Sequence, residues 1–381
     1  MIYLDNNATT QIAPEVFDAM KPYLTASYGN PSSAYSFARE SSEAIGKARE
    51  LVTALIGAAS SAEIVFTSGG TESDNWAILG ALEASAGKKH IITSRVEHEA
   101  VRKLCEKLET RGYTVTWLEV DANGELDLDQ LRSSITAETA VVSVMLANNE
   151  TGILFPVAQI GQAVKERSTA LFHVDAVNAA GKIPIDVKNT QIDLLSISGH
   201  KFHAPKGIGA LYMKHGVTLS PLFAGGGQEN GIRPGTEAVH QIAGIGAAAD
   251  LVRDLTPMER VRALRDTLEY EILHKIPNSR LNGTCDPEKR LPNTSNISFE
   301  NTNGESILAK LNDLGICVST GSACNSANHT ASPVLQAMDI PYSHAMGSIR
   351  FSLGRFNSEE EIRSTLLNLP KIIDSLNSMT S

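Results

Sequence analysis

An α/β architecture, with a large domain on a mostly parallel sheet and a smaller α+β domain attached, is predicted by three observations. Between about residue 39 and residue 213, short β-branched runs alternate with longer stretches that carry apolar residues at helical spacing. After the glycine-rich stretch 224–227 the alternation stops, and a long helical pattern with few strands takes over. A length of 381 residues suits one large body plus a smaller one.

The elements follow in chain order. The first dozen residues are too few for a domain and are expected to pack near the active site or against the small domain. Strands are predicted at 63–66, 90–93, 115–118, 141–147, 171–174, 193–197 and 208–213. Helices are predicted between them, at 72–84, 98–111 and 156–167 among others. In such a sheet, ligands sit beyond the carboxyl ends of the strands, so functional residues should follow strands directly. Beyond residue 227 a helical region at 237–275, a strand at 296–299, a helix at 304–314 and a strand at 348–352 form the small domain. The expected division is 13–255 for the large domain, with 1–12 and 256–381 for the small one that carries Cys324.

Composition narrows the function classes. Hydrophobic residues at 42% and charged residues at 20% are ordinary globular usage. Thirty-three basic against 43 acidic side chains leave a net charge of −10, which argues against nucleic-acid binding through a general basic surface. No apolar run approaches the roughly 18 residues of a membrane span, and the N-terminus lacks a basic start and apolar middle. A cytoplasmic protein is expected. The four cysteines, Cys105, Cys285, Cys317 and Cys324, contain no C-x-x-C pair, which fits a reducing compartment.

Several segments carry chemistry. Thr67 to Ser73 follows a strand and opens a helix, an arrangement that aims backbone amides at a phosphate or simply caps the helix. Asp175 ends an apolar strand, and a buried acid there needs a metal, an arginine or a protonated pyridine nitrogen, unless it caps the next turn. Lys201 follows another strand beside Ser198 and His200, placed to form a Schiff base, with Lys206 as its nearest rival. A phosphate seat, an acid and a lysine after successive strands are the parts pyridoxal phosphate requires. His98 begins a helix and either serves its N-terminus or stacks on a flat ring. Arg350, in a strand-like run, suits bidentate capture of a carboxylate or an edge salt bridge. Cys324 lies in the small, polar stretch 318–330, a poor setting for a core cysteine. Its thiol, about 3% ionised at pH 7 if unperturbed, needs help to attack. Cys105 and Cys317 read as small hydrophobes and Cys285 as a surface residue.

In this order, Tyr3 to Thr10, Gly29-Asn30-Pro31-Ser32-Ser33, Gly70-Thr71-Glu72-Ser73, Asn148 to Gly152, Ser198-Gly199-His200-Lys201, Ala204-Pro205-Lys206-Gly207, Gly321-Ser322-Ala323-Cys324 and Arg350-Phe351-Ser352 resemble the pyridoxal-phosphate cysteine desulfurases of aminotransferase class V. Within these the likeness is to the NifS type, and it spans essentially the whole chain.

The resemblance implies a fold type I transferase in which Lys201 carries the cofactor and Asp175 pairs with its ring nitrogen. His98 stacks on the ring and assists proton transfer. Gly70, Thr71, Ser198 and His200 hold the phosphate, joined by Thr236 from a neighbouring subunit of a homodimer. Asn149 lies by the phenolic oxygen and the substrate, and Arg350 binds the carboxylate of L-cysteine. Cys324 takes the sulfur as a persulfide, releases alanine and hands the sulfur to an acceptor or iron-sulfur scaffold protein, where it transiently ligates a cluster. No resident metal is implied.

Two departures stand out. Asn178 occupies a cofactor position where the family usually has glutamine, one methylene longer. The segment Asn328 to Pro333 replaces a common leucine-glutamate-proline run.

Overall fold

The computed structural model describes residues 1–85, 87–320 and 330–380, the side chains of 379 and 380 excepted. It begins with β1 (Ile2–Tyr3). A seven-stranded sheet follows, from β2 (Ile64–Thr67), β3 (His90–Ser94), β4 (Thr114–Leu118), β5 (Thr139–Met145), β6 (Leu171–Asp175), β7 (Leu194–Ser198) and β8 (Gly209–Met213). Their spatial order is β2-β8-β7-β6-β5-β3-β4. β8 runs antiparallel to both neighbours and the other pairings are parallel.

The central strands are buried on both faces, so they read as continuous apolar runs rather than alternating ones. Phe172 on β6 is fully enclosed, which is worth about 2–3 kcal/mol relative to exposure. Helices cover the sheet, some buried on several sides and others through one apolar stripe. Glu99–Glu109 turns Val101, Leu104, Cys105 and Leu108 inward, an i, i+3, i+4, i+7 pattern. Burial pushes the Cys105 thiol up to about 12, so it packs as a hydrophobe. Cys285 is exposed.

The helical region predicted at 237–275 is two helices, Val239–Arg253 and Thr256–Lys275. The break has a local cause. Asp254 turns to extended backbone, its carboxylate accepts from the Thr256 amide at 3.0 Å, and Pro257 opens the second helix.

A second, antiparallel sheet joins β9 (Ser279–Leu281), β10 (Thr294–Phe299), β12 (Ser319–Thr320) and β13 (Ser348–Ser352) in the order β12-β13-β10-β9. The intervening β11 (Ile316–Cys317) pairs parallel with β1. Leu4, Val261, Leu268, Phe299, Phe351 and Ile373 belong to the core beneath this sheet, separate from the core of the seven-stranded one. Arg350 lies on β13, between β10 and β12, so it is not on an edge strand, although it does form the ion pair of that alternative, with Asp5.

The N-terminal segment bridges the two bodies. Asn6 donates its amide to Ser352 O (2.9 Å), Asn7 Nδ2 reaches Thr294 Oγ1 (2.8 Å), and the Thr10 amide donates to His200 O (2.8 Å).

Candidate active site

The carboxyl ends of β2, β3, β5, β6 and β7 face one side of the sheet, and the chain leaving each contributes to a cavity of about 290 Å³. After β2, the helix Gly70–Ala84 starts at the cavity, and Gly70 and Thr71 line it. The helix starts this close only because residue 70 is glycine: a Cβ there would stand 2.7 Å from Val177 Cγ2. Its first amides have no acceptor within the helix, so they and the dipole favour an anion.

Beyond β3, His98 caps the helix Glu99–Glu109, Nδ1 accepting from the Ala100 amide at 3.2 Å, and its ring also lines the cavity. Both sequence readings of His98 are therefore compatible. Past β5 comes Asn149, and β6 ends in Asp175. β7 ends in Ser198, and the single turn Gly199–Lys201 then presents His200 and Lys201 to the same space. Lys206 is not among the lining residues.

Lys201 Nζ donates to the main-chain oxygens of Asn7 (2.6 Å) and Ala8 (3.0 Å). Asp175 is buried and accepts from the Val177 amide at 2.8 Å, so it does shape the following turn. Burial pushes its carboxyl up, against the pull of His98, the Val177 amide and Lys201. A cation against it would restore the charged form. His200 is driven down to about 4 by burial and by the cations Lys201, Lys206 and Lys182; its Nδ1 lies 3.2 Å from Thr9 Oγ1.

Beneath the cavity lies a group of buried acids that the sequence reading did not single out. Asp74, one turn after Gly70, lines the cavity with Oδ1 unpartnered and 3.6 Å from His173 Nε2. His173 itself bridges Ser143 and Ser196 at 2.9 Å each, and burial drives it down to about 3. Glu97 is pushed up to about 8 by burial, with Asp175 adding to the rise, and its Oε2 has no partner. The i, i+4 spacing of Gly70 and Asp74 was the available signal for the first of these.

Arg350 sits beside the cavity. It donates to Asn149 O (3.1 Å) and to Asp5 Oδ1 (2.6 Å), while its buried Nε lacks a partner. Asn178 lines the cavity. Thr236 is exposed and is not part of this chain's own cavity lining. Cys324 lies outside the described residues.

The lining fits pyridoxal phosphate. It offers an anion seat at Gly70, Thr71, Ser198 and His200, a carboxylate at Asp175, an amine at Lys201, and apolar contacts from Val177, Met145 and Ala147. A larger open depression of about 740 Å³ beside Arg95, Arg102 and Glu106 is rimmed by side chains paired with one another, and offers no such convergence.

Comparison with known proteins points the same way. The family model described as Aminotransferase class-V matches residues 2–364. A cysteine desulfurase of Trichormus azollae is 53% identical over all of this chain and 94% of its own length. The cysteine desulfurase NifS of Azotobacter vinelandii is 49% identical, again over all of this chain and 94% of its own. Among solved structures, a NifS-like protein superposes with a TM-score of 0.92 at 36% identity, covering 98% of this chain and all of the other.

Proposed function

Because this chain belongs to the aminotransferase class-V family, with NifS-type cysteine desulfurases as its full-length relatives, we propose that it converts L-cysteine to L-alanine with pyridoxal phosphate held on Lys201 and the sulfur passed to Cys324. The observation that carries the reading is the convergence of Lys201, Asp175, His98 and the Gly70–Thr71 helix start on one cavity.

Bound there, pyridoxal phosphate supplies an electron sink for the α-carbon of the substrate. The chain's own groups do the rest. Asp175 holds a proton on the ring nitrogen, because a cation beside it offsets the burial of its carboxylate. Gly70, Thr71, Ser198 and His200 take the phosphate, with Thr236 of a second copy closing the seat in a homodimer. Arg350 holds the substrate carboxylate and Asn149 stands beside it. The Lys201 amine, once released, removes the α-proton and later returns one, with His98 assisting.

The Cys324 thiolate then attacks the substrate sulfur. The carbon–sulfur bond breaks, its electron pair stays on carbon and is protonated to give alanine, and Cys324 is left as a persulfide. Atoms and electrons balance without an added oxidant.

The sulfur goes to an acceptor or iron-sulfur scaffold protein, with nitrogenase maturation as the destination suggested by the NifS likeness. The division into 13–255 and 1–12 with 256–381 draws support from a second core that joins Leu4 to residues between 261 and 373, while Leu291, Ala331, Val334, Leu335, Met338, Ile340 and Ala345 of the small part pack in the core of the large sheet. Among the described residues no helix is long and apolar enough to cross a membrane, and Cys105, Cys285 and Cys317 are free thiols, which suits the cytoplasm.

The test uses purified protein with cofactor. Wild type is expected to show a visible band that Lys201→Ala lacks, and to release alanine from cysteine. Cys324→Ala should keep the band and lose sulfur release by at least about 10²-fold. Full turnover in Cys324→Ala refutes the persulfide step.

A further inference from the structure

Lys182 is a buried cation that no step above uses. It is 7% exposed, and its Nζ donates to two oxygens of one residue: Asn178 O at 2.8 Å and Asn178 Oδ1 at 2.9 Å. The turn Ala176 to Lys182 fixes this spacing, with Ala180 bonded back to Ala176 and Lys182 to Ala179. The charged groups that bear on Lys182 are Lys201 and Arg350, both cations, and Lys182 in turn bears on His200 and His203. Together with burial they pull the Lys182 amine well below its ordinary range. A buried amine facing only cations is costly for the fold, and such costs concentrate where a site needs them.

The contact decides which way the Asn178 amide points. Lys182 Nζ donates to both Asn178 oxygens, and as an ammonium it can only donate, so the Asn178 carbonyl faces Lys182 and its NH2 faces away. Asn178 Nδ2 donates to Asn148 O at 3.4 Å, a long contact, and the side chain lines the cavity. A ligand acceptor is wanted on that side. Of the polar groups on pyridoxal phosphate, the phosphate has the helix start, the ring nitrogen has Asp175 and the aldehyde has Lys201, which leaves the phenolic oxygen, where Asn149 is the other neighbour.

We propose that Lys182 is a positioning residue: by holding the side-chain oxygen of Asn178 it turns the Asn178 N–H toward the cavity, to donate to the phenolic oxygen of the cofactor. The inference rests on the cofactor reading above. It also accounts for an asparagine serving where a longer glutamine is usual, because the short side chain is held in one orientation.

The experiment is a pH titration of the visible band of the cofactor-loaded protein, for wild type, Lys182→Met, Asn178→Ala and the double variant. A donor to the phenolic oxygen favours its ionised form. Losing the donor should therefore raise the titration midpoint, by about one pH unit, the scale of one hydrogen bond to a charged oxygen. Each single variant is expected to give this shift, and the double variant no more than either one. An unmoved midpoint in Lys182→Met overturns the proposal. So does a Lys182→Met shift that persists undiminished in the Asn178→Ala background, since Lys182 would then act by charge alone. If Lys182→Met does not fold, an unmoved midpoint in Asn178→Ala still overturns it. A colourless wild type overturns the cofactor reading itself, which separates the two failures.

Discussion

Two regions of this molecule bury ionisable side chains and treat them in opposite ways. Under the small sheet, Arg290 forms a two-pronged pair with Glu269 at 3.1 and 2.5 Å, and Ser295 adds a third bond to the same carboxylate. Arg265 beside it donates to Leu291 O and Thr294 O and pairs with Asp266. Around the cavity, Asp74 and Glu97 each keep an unpartnered oxygen, and Lys182 has carbonyls but no acid. The first region pairs its arginines with acids, although Arg290 Nε itself has no partner, while the second leaves Asp74, Glu97 and Lys182 with no opposite charge, to be completed by something that binds. Unbalanced buried charge marks the place where chemistry happens more reliably than burial itself.

The contrast can be broken by experiment, and the largest effect belongs to the satisfied region. Arg290→Met leaves Glu269 enclosed with its ion-pair partner gone, and is expected to cost about 3–5 kcal/mol in denaturant unfolding. A loss under 1 kcal/mol would place the two regions on the same footing.

Glu97→Gln should do the reverse. The folded carboxyl sits near 8 and the unfolded one near 4.5, so between those values the unfolded chain binds fewer protons. The stability tied to the protonated acid is complete below pH 4.5 and drains away as pH rises to 8. A neutral glutamine removes that slope. Variant and wild type should match near pH 4 and diverge by a few kcal/mol in the variant's favour by pH 8, read from unfolding midpoints of the cofactor-free protein.

The smallest effect is assigned to the surface. Arg363 and Glu359 pair at 3.3 Å with both side chains nearly four-fifths exposed, and Arg363→Ala should change stability by no more than about 0.5 kcal/mol.

Most of the cavity was legible in the chain because its parts follow strands. Gly70, His98, Asp175, Ser198 and Lys201 each come within a few residues of a strand's carboxyl end, where a parallel sheet gathers them. The seven strands of the large sheet were readable to within two residues, since β-branched runs such as Val141 to Val144 leave little choice of period, whereas the two- and three-residue strands β1, β9, β11 and β12 were not. Asp74, Glu97 and Lys182 were not legible. Each is an ordinary charged residue in sequence, and only the tertiary placement reveals that its partner is missing or is a carbonyl. The pairing of Arg350 with Asp5 was hidden for another reason: it spans 345 residues, beyond any periodicity. The break at Asp254 was missed because Asp254, Leu255 and Thr256 are tolerated in a helix interior, and the carboxylate that stops the helix acts locally on the Thr256 amide.

The strap formed by the first ten residues has a consequence for biosynthesis. A ribosome delivers Tyr3 to Thr10 first, yet their partners on β11, β10 and β13 emerge more than 280 residues later. Asn7 and Ala8, which cradle the Lys201 amine, therefore cannot settle until β13 has been made. A nascent chain stalled before residue 350 would hold the Lys201 amine without its settled floor, so vitamin loading belongs after β13 is in place.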